Sequence, residues 1–182
     1  MQVCFRDTKH FLLVIGVALI WSRNNAQQQL MAGLGPSGEI EEGVIGVNTR
    51  LFYGINEKFC FGPEATFFPY QEINDEYELE VTDLNFNAHY IVELSHKIGI
   101  YPLSGINYTI EKERLLIDSD EPEKVEAFGW NYGFGAHYMM GDLFAFAEFK
   151  GVIGELSDEF ITVGILFTLS KHKEHTKEHT HH

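Results

Sequence analysis

Cysteine is scarce in this 182-residue chain, with Cys4 and Cys60 the only two. Cys4 lies in a leader segment, so the mature chain keeps Cys60 alone and can form no intrachain disulfide. Nothing near Cys60 in the sequence would activate a thiol, and its expected role is packing on a wall of the fold. Positive charge is scarce as well: 13 Lys and Arg stand against 27 Asp and Glu. Loss of the first 26 residues removes Arg6, Lys9, Arg23 and Asp7 and takes the formal charge from −14 to −16. Such a chain does not bind nucleic acid through phosphate contacts.

A membrane-spanning helix is excluded by length. The apolar run Phe11 to Trp21, FLLVIGVALIW, has eleven residues, and a helical span needs roughly 20. Preceded by Arg6 and Lys9 and followed by SRNNA, the run marks residues 1–26 as a secretory signal peptide cleaved after Ala26. No cysteine stands at the cleavage region, which argues against a lipoprotein anchor. Nor is there an amphipathic helix of usable length, a nucleophile elbow, an HExxH, a phosphate loop or a spaced metal-ligand set. No cofactor is therefore expected.

What the chain does contain is strand alternation. In Leu84 to Ile110, Leu84, Phe86, Ala88, Tyr90 and Val92 alternate with Asn85, Asn87, His89 and Glu93. This is the period-two pattern of a strand with two unlike faces. Its length matches the ~10 residues with which a tilted strand crosses hydrocarbon. The same unit recurs, giving eight strand candidates: Gln28 to Gly35, Gly43 to Tyr53, Phe59 to Tyr70, the two halves of the Leu84 to Ile110 hairpin, Val125 to Met140, Leu143 to Ile153 and Phe160 to Leu169. Pro63 and Pro69 predict irregularity in the third, and Pro102 predicts a bulge that shifts the alternation in the fifth.

Connections after strands two, four and six read as short, and those after one, three, five and seven as mostly longer and acidic. An outer-membrane barrel shows this asymmetry, with short periplasmic turns and longer external loops. The expected fold is a closed, eight-stranded, antiparallel up-and-down transmembrane β-barrel over residues 27–170. Residues 171–182 form a separate, His-rich tail, read as a disordered polar segment in which His172, His175 and His179 offer a weak metal site.

The signal ending in AQ, the stretches IGIYPLSGINYTI and FGWNYGFGAHYMM before a GD turn, and the closing strand FITVGILFTL resemble the small outer-membrane β-barrels of the OmpA-like and OmpX-like type, those of Bacteroidota in particular. The resemblance covers roughly residues 27 to 169 and its motifs are fold signatures. It implies the outer membrane of a Gram-negative bacterium, surroundings of outer-membrane lipid and lipopolysaccharide, and a monomer. It also implies a last-strand residue, Phe167 or Leu169, read by the barrel-assembly machinery.

With aromatic faces toward lipid, the opposite faces place Arg50, Glu64, Glu93, Glu148, Lys150, His89 and His137 inside. An eight-stranded barrel is just wide enough for side chains to fill, so Arg50 and Lys150 are expected to neutralise some of Glu64, Glu93 and Glu148 in a plugged polar interior. Acid is expected on the outer loops: Glu39, Glu41 and Glu42; Glu72, Asp75, Glu76, Glu78 and Glu80; Asp118, Asp120, Glu121 and Glu123; Glu155, Asp158 and Glu159. Such runs solvate a surface, or bind divalent cations that bridge to lipopolysaccharide phosphates or a basic partner. The expected function is structural or surface-interacting and non-enzymatic. The alternatives are a lipid A-modifying enzyme built on Ser95, His96, Ser104, His89 or His137, and a soluble lipocalin-like barrel with the opposite polarity.

Overall fold

The computed structural model describes residues 28–73, 77–115 and 122–172, and their regular structure is all β. The strands are β1 (Gln28–Glu39), β2 (Ile45–Gly54), β3 (Phe59–Glu72), β4 (Tyr77–Tyr90), β5 (Val92–Glu93), β6 (Ile98–Leu115), β7 (Glu123–Met140), β8 (Leu143–Gly154) and β9 (Glu159–His172). β4 and β5 both pair with β6 in one register, from Tyr77 opposite Leu115 to Glu93 opposite Gly99, and count as one barrel strand broken at Ile91. Every strand pairs antiparallel with its chain neighbour, and β1 pairs with β9. The sheet thus closes on itself as an eight-stranded barrel with no free edge.

Alternation assigns the two faces. Along β2, Ile45, Val47 and Leu51 are exposed while Asn48, Arg50 and Phe52 are buried. Along β7, Phe128, Trp130, Tyr132 and Phe134 point out, Phe128 being 78 % exposed. Asn131 and Gly135 on the same strand are buried. The outer wall is an apolar belt and the lumen is polar, the reverse of a soluble, apolar-lined barrel.

Several expectations are corrected. Pro102 causes no bulge: it stands opposite Phe134 in a register that runs unbroken from Ile98 to Glu113. Pro63 likewise sits in register opposite Phe86. Both prolines face outward, and the surrounding ladder holds them without a shift. The irregularity expected in the third strand occurs at Pro69, where the register shifts between Phe68 and Gln71, and a further shift lies between Leu30 and Met31 against β9. The acidic connections are not long loops. Their residues extend the strands: β1 runs on to Glu39, and β6 and β7 reach 18 residues each. The intervening segments are residues 40–44, 73–76, 116–122 and 155–158 at this loop end, and 55–58, 94–97 and 141–142 at the opposite, turn end. The asymmetry of the barrel therefore lies in strand length, and the surplus projects beyond the belt.

Local chemistry forms the tight turns. Asn56 Oδ1 accepts from the amides of Lys58 and Phe59, both at 2.8 Å, and Gly141 takes φ +74° between β7 and β8. Backbones approach closely where lumen-facing glycines meet the next strand. A Cβ on Gly62 would sit 1.9 Å from the Leu51 carbonyl oxygen, and on Gly135 it would strike the Tyr101 ring at 2.5 Å.

Candidate functional site

The lumen is organised in layers along its axis. In the middle, β2, β3, β4 and β8 bring together Arg50, Glu64, Asp83, Glu148 and Lys150, all buried, with Arg50 4 % and Lys150 2 % exposed. Arg50 donates from Nη1 to Glu148 Oε2 at 3.0 Å and from Nη2 to Oε1 at 3.2 Å, a bidentate fork. Its Nη2 also lies 3.1 Å from Glu64 Oε2, and its Nε donates to Asn48 Oδ1 at 2.9 Å. Lys150 Nζ bridges Glu64 Oε1 at 3.0 Å and Asp83 Oδ2 at 2.9 Å. Asp83 further accepts from Asn85 and Thr109, each at 2.9 Å, and from Asn107. The Arg50 guanidinium lies over the Phe146 ring at 4.1 Å and the Lys150 ammonium over Phe160 at 5.1 Å. Buried charge persists only when paired and hydrogen-bonded in this way.

Four of the five residues expected in this network thus meet in it. Glu93 does not: it lies on the lumen side of the short β5 but at the turn-end mouth, where it is exposed. Asp83 occupies the position in its place. The signal for Asp83 is present in the sequence, since it shares the parity of Asn85, Asn87 and His89.

Above the network, toward the loop end, Val44, Phe68, Val81, Val152 and Phe160 form an apolar seal, with the Phe68 and Phe160 rings stacked 5.6 Å apart. Beyond the seal opens an acidic bowl of about 270 Å³ lined by Glu39, Glu41, Glu42, Glu111, Glu113, Glu155 and Asp158. Glu39 fixes the β1–β2 loop by accepting from the amides of Glu41 at 2.5 Å and Glu42 at 2.6 Å. Burial, then Asp158 and Glu113, push the Glu111 carboxyl up to about 7. Burial, then Glu39, push Asp158 up to about 6. Outside the same level the apolar belt gives way to cross-strand ion pairs, Lys112 with Glu80 at 2.6 Å and Arg114 with Glu78.

The bowl draws on the first and fourth acidic segments. Glu111 and Glu113 escape a reading of the loops because they lie on β6 itself, where alternation turns them inward. Glu72 and Glu123 are exposed at strand ends, and Glu159 is exposed at the start of β9. Asp75, Glu76, Asp118, Asp120 and Glu121, the signal peptide, and tail residues His175 and His179 lie outside the described residues; His172 ends β9. Among the described residues, no three of His, Cys, Asp or Glu converge on one metal position.

At the turn end the lumen opens as a cavity of about 360 Å³, reached by Cys60, His89, Tyr101 and His137. Ser104 faces the outer wall and donates to the Asn131 carbonyl at 3.1 Å, whereas His89 faces the lumen. That serine and that histidine, considered together for lipid chemistry, point to opposite sides of the wall.

Searches of solved structures return barrels of this kind. The attachment invasion locus protein Ail of Yersinia pestis matches with a TM-score of 0.57 at 14% identity, over 79% of this chain and 99% of its own. The N-terminal β-barrel domain of Pseudomonas aeruginosa OprF matches at 0.60 and 16%, over 78% and 99%. This chain has the fold of the small outer-membrane β-barrels. A major outer-membrane protein of Thermus thermophilus shares it at a TM-score of 0.60 and 9% identity, over 78% and 98%. No protein-family model and no curated protein matches the sequence. The shared feature at these identities is the fold, which alternation and closure hold here.

Proposed function

We propose that the chain is a non-enzymatic, monomeric barrel of a Gram-negative outer membrane with a structural or surface-contact role, exported by its N-terminal leader and inserted by the barrel-assembly machinery. The observation that carries this reading is inverted polarity: paired charge fills the lumen while Phe128, Trp130, Phe134 and their neighbours form an exposed belt. In water such a belt is an aggregation liability. In outer-membrane lipid it is the surface required, and closure leaves no strand edge unpaired. The seal and the network below it form the plugged interior, which braces the wall.

The shorter turns and both ends of the strand array lie at one end, the periplasmic one in barrels of this class, so the acidic bowl faces outward. There it concentrates divalent cations and shares them with lipopolysaccharide phosphates, since burial and then neighbouring carboxylates have raised Glu111 and Asp158, a cost that a bound cation relieves. Ail has been crystallised with the heparin analogue sucrose octasulfate, a polyanion. The bowl here has the opposite sign and would meet a polyanion only across bridging cations.

Expressed with its own leader in a Gram-negative host, the protein should appear in the outer-membrane fraction and migrate differently before and after boiling. A soluble periplasmic product with no heat shift would refute the reading. Calcium binding by the folded, micelle-held protein should weaken several-fold in a Glu111→Gln, Asp158→Asn variant, and unchanged binding would remove the cation role while leaving the barrel intact.

A further inference from the structure

The turn-end cavity has a lining with a definite chemistry. Its roof is a ladder of five rings. Phe52 and His89 have centroids 4.5 Å apart, His89 and Tyr101 stack at 4.7 Å with planes within 7°, Tyr101 and His137 follow at 6.1 Å, and His137 meets Phe144 edge-on at 5.6 Å. The thioethers of Met31 and Met139 and the side chain of Leu166 add soft, apolar wall. Carboxylate is in excess on both sides. Behind the roof, Glu64, Asp83 and Glu148 face only Arg50 and Lys150. At the mouth, Glu57 and Glu93 face Lys97. His89 is 4 % exposed, and its Nε2 lies 3.9 Å from Glu148 Oε2 without a hydrogen-bond partner.

We propose that this cavity binds small organic cations that carry an apolar body, of the arylammonium or alkylammonium class. Aromatic faces attract a cation through the negative potential above the ring, and do so more strongly where water is excluded. Thioether and leucine side chains accept the hydrocarbon part. The surplus carboxylate supplies a field that an anion would oppose and that a neutral molecule would not use. A volume of about 360 Å³ falls within the range of small-molecule sites. The loop-end bowl is acidic over a floor of Phe68 and Phe160 but has no thioether and no ladder of stacked rings, and the hollows beside Tyr108 and Phe128 and beside Phe134, Ala136 and Ala147 lie against outward-facing rings.

The test uses the full chain folded in zwitterionic micelles, with benzyltrimethylammonium, its uncharged isostere neopentylbenzene, and phenylmethanesulfonate as probes. Protein-free micelles correct for partition. Ligand-observed NMR should show saturable binding of the cation, at least ten-fold tighter than of either other probe. A Glu57→Gln, Glu93→Gln variant should weaken it several-fold. Filling the cavity with Met139→Trp, or with Leu166→Trp if the first fails to show the heat-dependent gel shift, should abolish it. Equal binding of the neutral isostere, unchanged affinity in the rim variant, retained binding in a folded cavity-filled variant, or no saturable binding would each overturn the proposal.

Discussion

Lys150 is the residue on which the central network turns, because its one ammonium is shared between Glu64 and Asp83. Replacement by Met would leave three buried carboxylates, Glu64, Asp83 and Glu148, with Arg50 as the remaining cation of the network, and losing one partner of a buried pair costs about 3–5 kcal/mol. Lys150→Met should lower the stability of the micelle-held barrel in urea by that amount, and a second change, Asp83→Asn, should restore part of it. Arg50, Glu64, Glu148 and Lys150 are legible from alternation alone, because parity assigns a face. Depth along the axis has no such signature, so alternation puts Glu93 in a network that it only overlooks, and a strand read from Leu84, where β4 begins at Tyr77, loses Asp83. Glu111 and Asp158 carry a pH dependence whose sign follows from their raised values. Each holds its proton in the folded state at pH values where the unfolded chain, near 4.5 and 3.8, has released it. Stability in chelator should therefore fall as pH rises from about 4 through about 7 and then level off. Melting followed from about pH 4 to about pH 8 should show this decline, flattened in Glu111→Gln and Asp158→Asn, and calcium should oppose it at the upper end.

Strands here are shaped by how closely their neighbours approach. Gly62 on β3 lies against β2 so tightly that a Cβ would stand 1.9 Å from the Leu51 carbonyl oxygen, whereas a Cβ on Gly38 of β1 would meet nothing within 4 Å. Overpacking of this kind costs about 1–3 kcal/mol, and an unopposed surface change stays within about 0.5 kcal/mol. Gly62→Ala should thus reduce the folded, heat-shiftable fraction while Gly38→Ala leaves it unchanged, and equal behaviour of the two would show that the strands relax apart. Such contacts cannot be read from a sequence, in which Gly62 is simply a glycine in a strand and Gly38 a glycine in the connection after the first. The prolines mislead for a related reason. Pro102 reads as a bulge and Pro63 as an irregularity, yet each points outward from a ladder whose other pairs fix the register around it. The acidic segments mislead in the opposite sense, because polarity reads as loop. Glu78, Glu80, Lys112 and Arg114 are polar because their strands have risen past the apolar belt, where cross-strand ion pairs replace lipid contact.

The whole barrel carries two barriers in series, and their order decides what it can conduct. An ion entering from the loop end meets the Phe68–Phe160 stack within its ring of valines, and beneath it the ammonium of Lys150 held between two carboxylates. Eight strands give a narrow lumen, and between its two mouths the side chains of both barriers meet across it. Reconstituted in a planar bilayer, the protein should show no discrete conductance steps. Removal of the upper barrier alone, by Phe68→Ala with Phe160→Ala, should leave it silent, because the bidentate Arg50–Glu148 pair and the Lys150 bridge span the lumen below. Ion steps in the unaltered protein would show that the network opens on its own, and steps confined to the Phe variant would identify the apolar seal as the sole gate. Silence in both, with calcium still bound at the loop end and benzyltrimethylammonium still bound at the turn end, would establish two mouths that act separately across a closed wall.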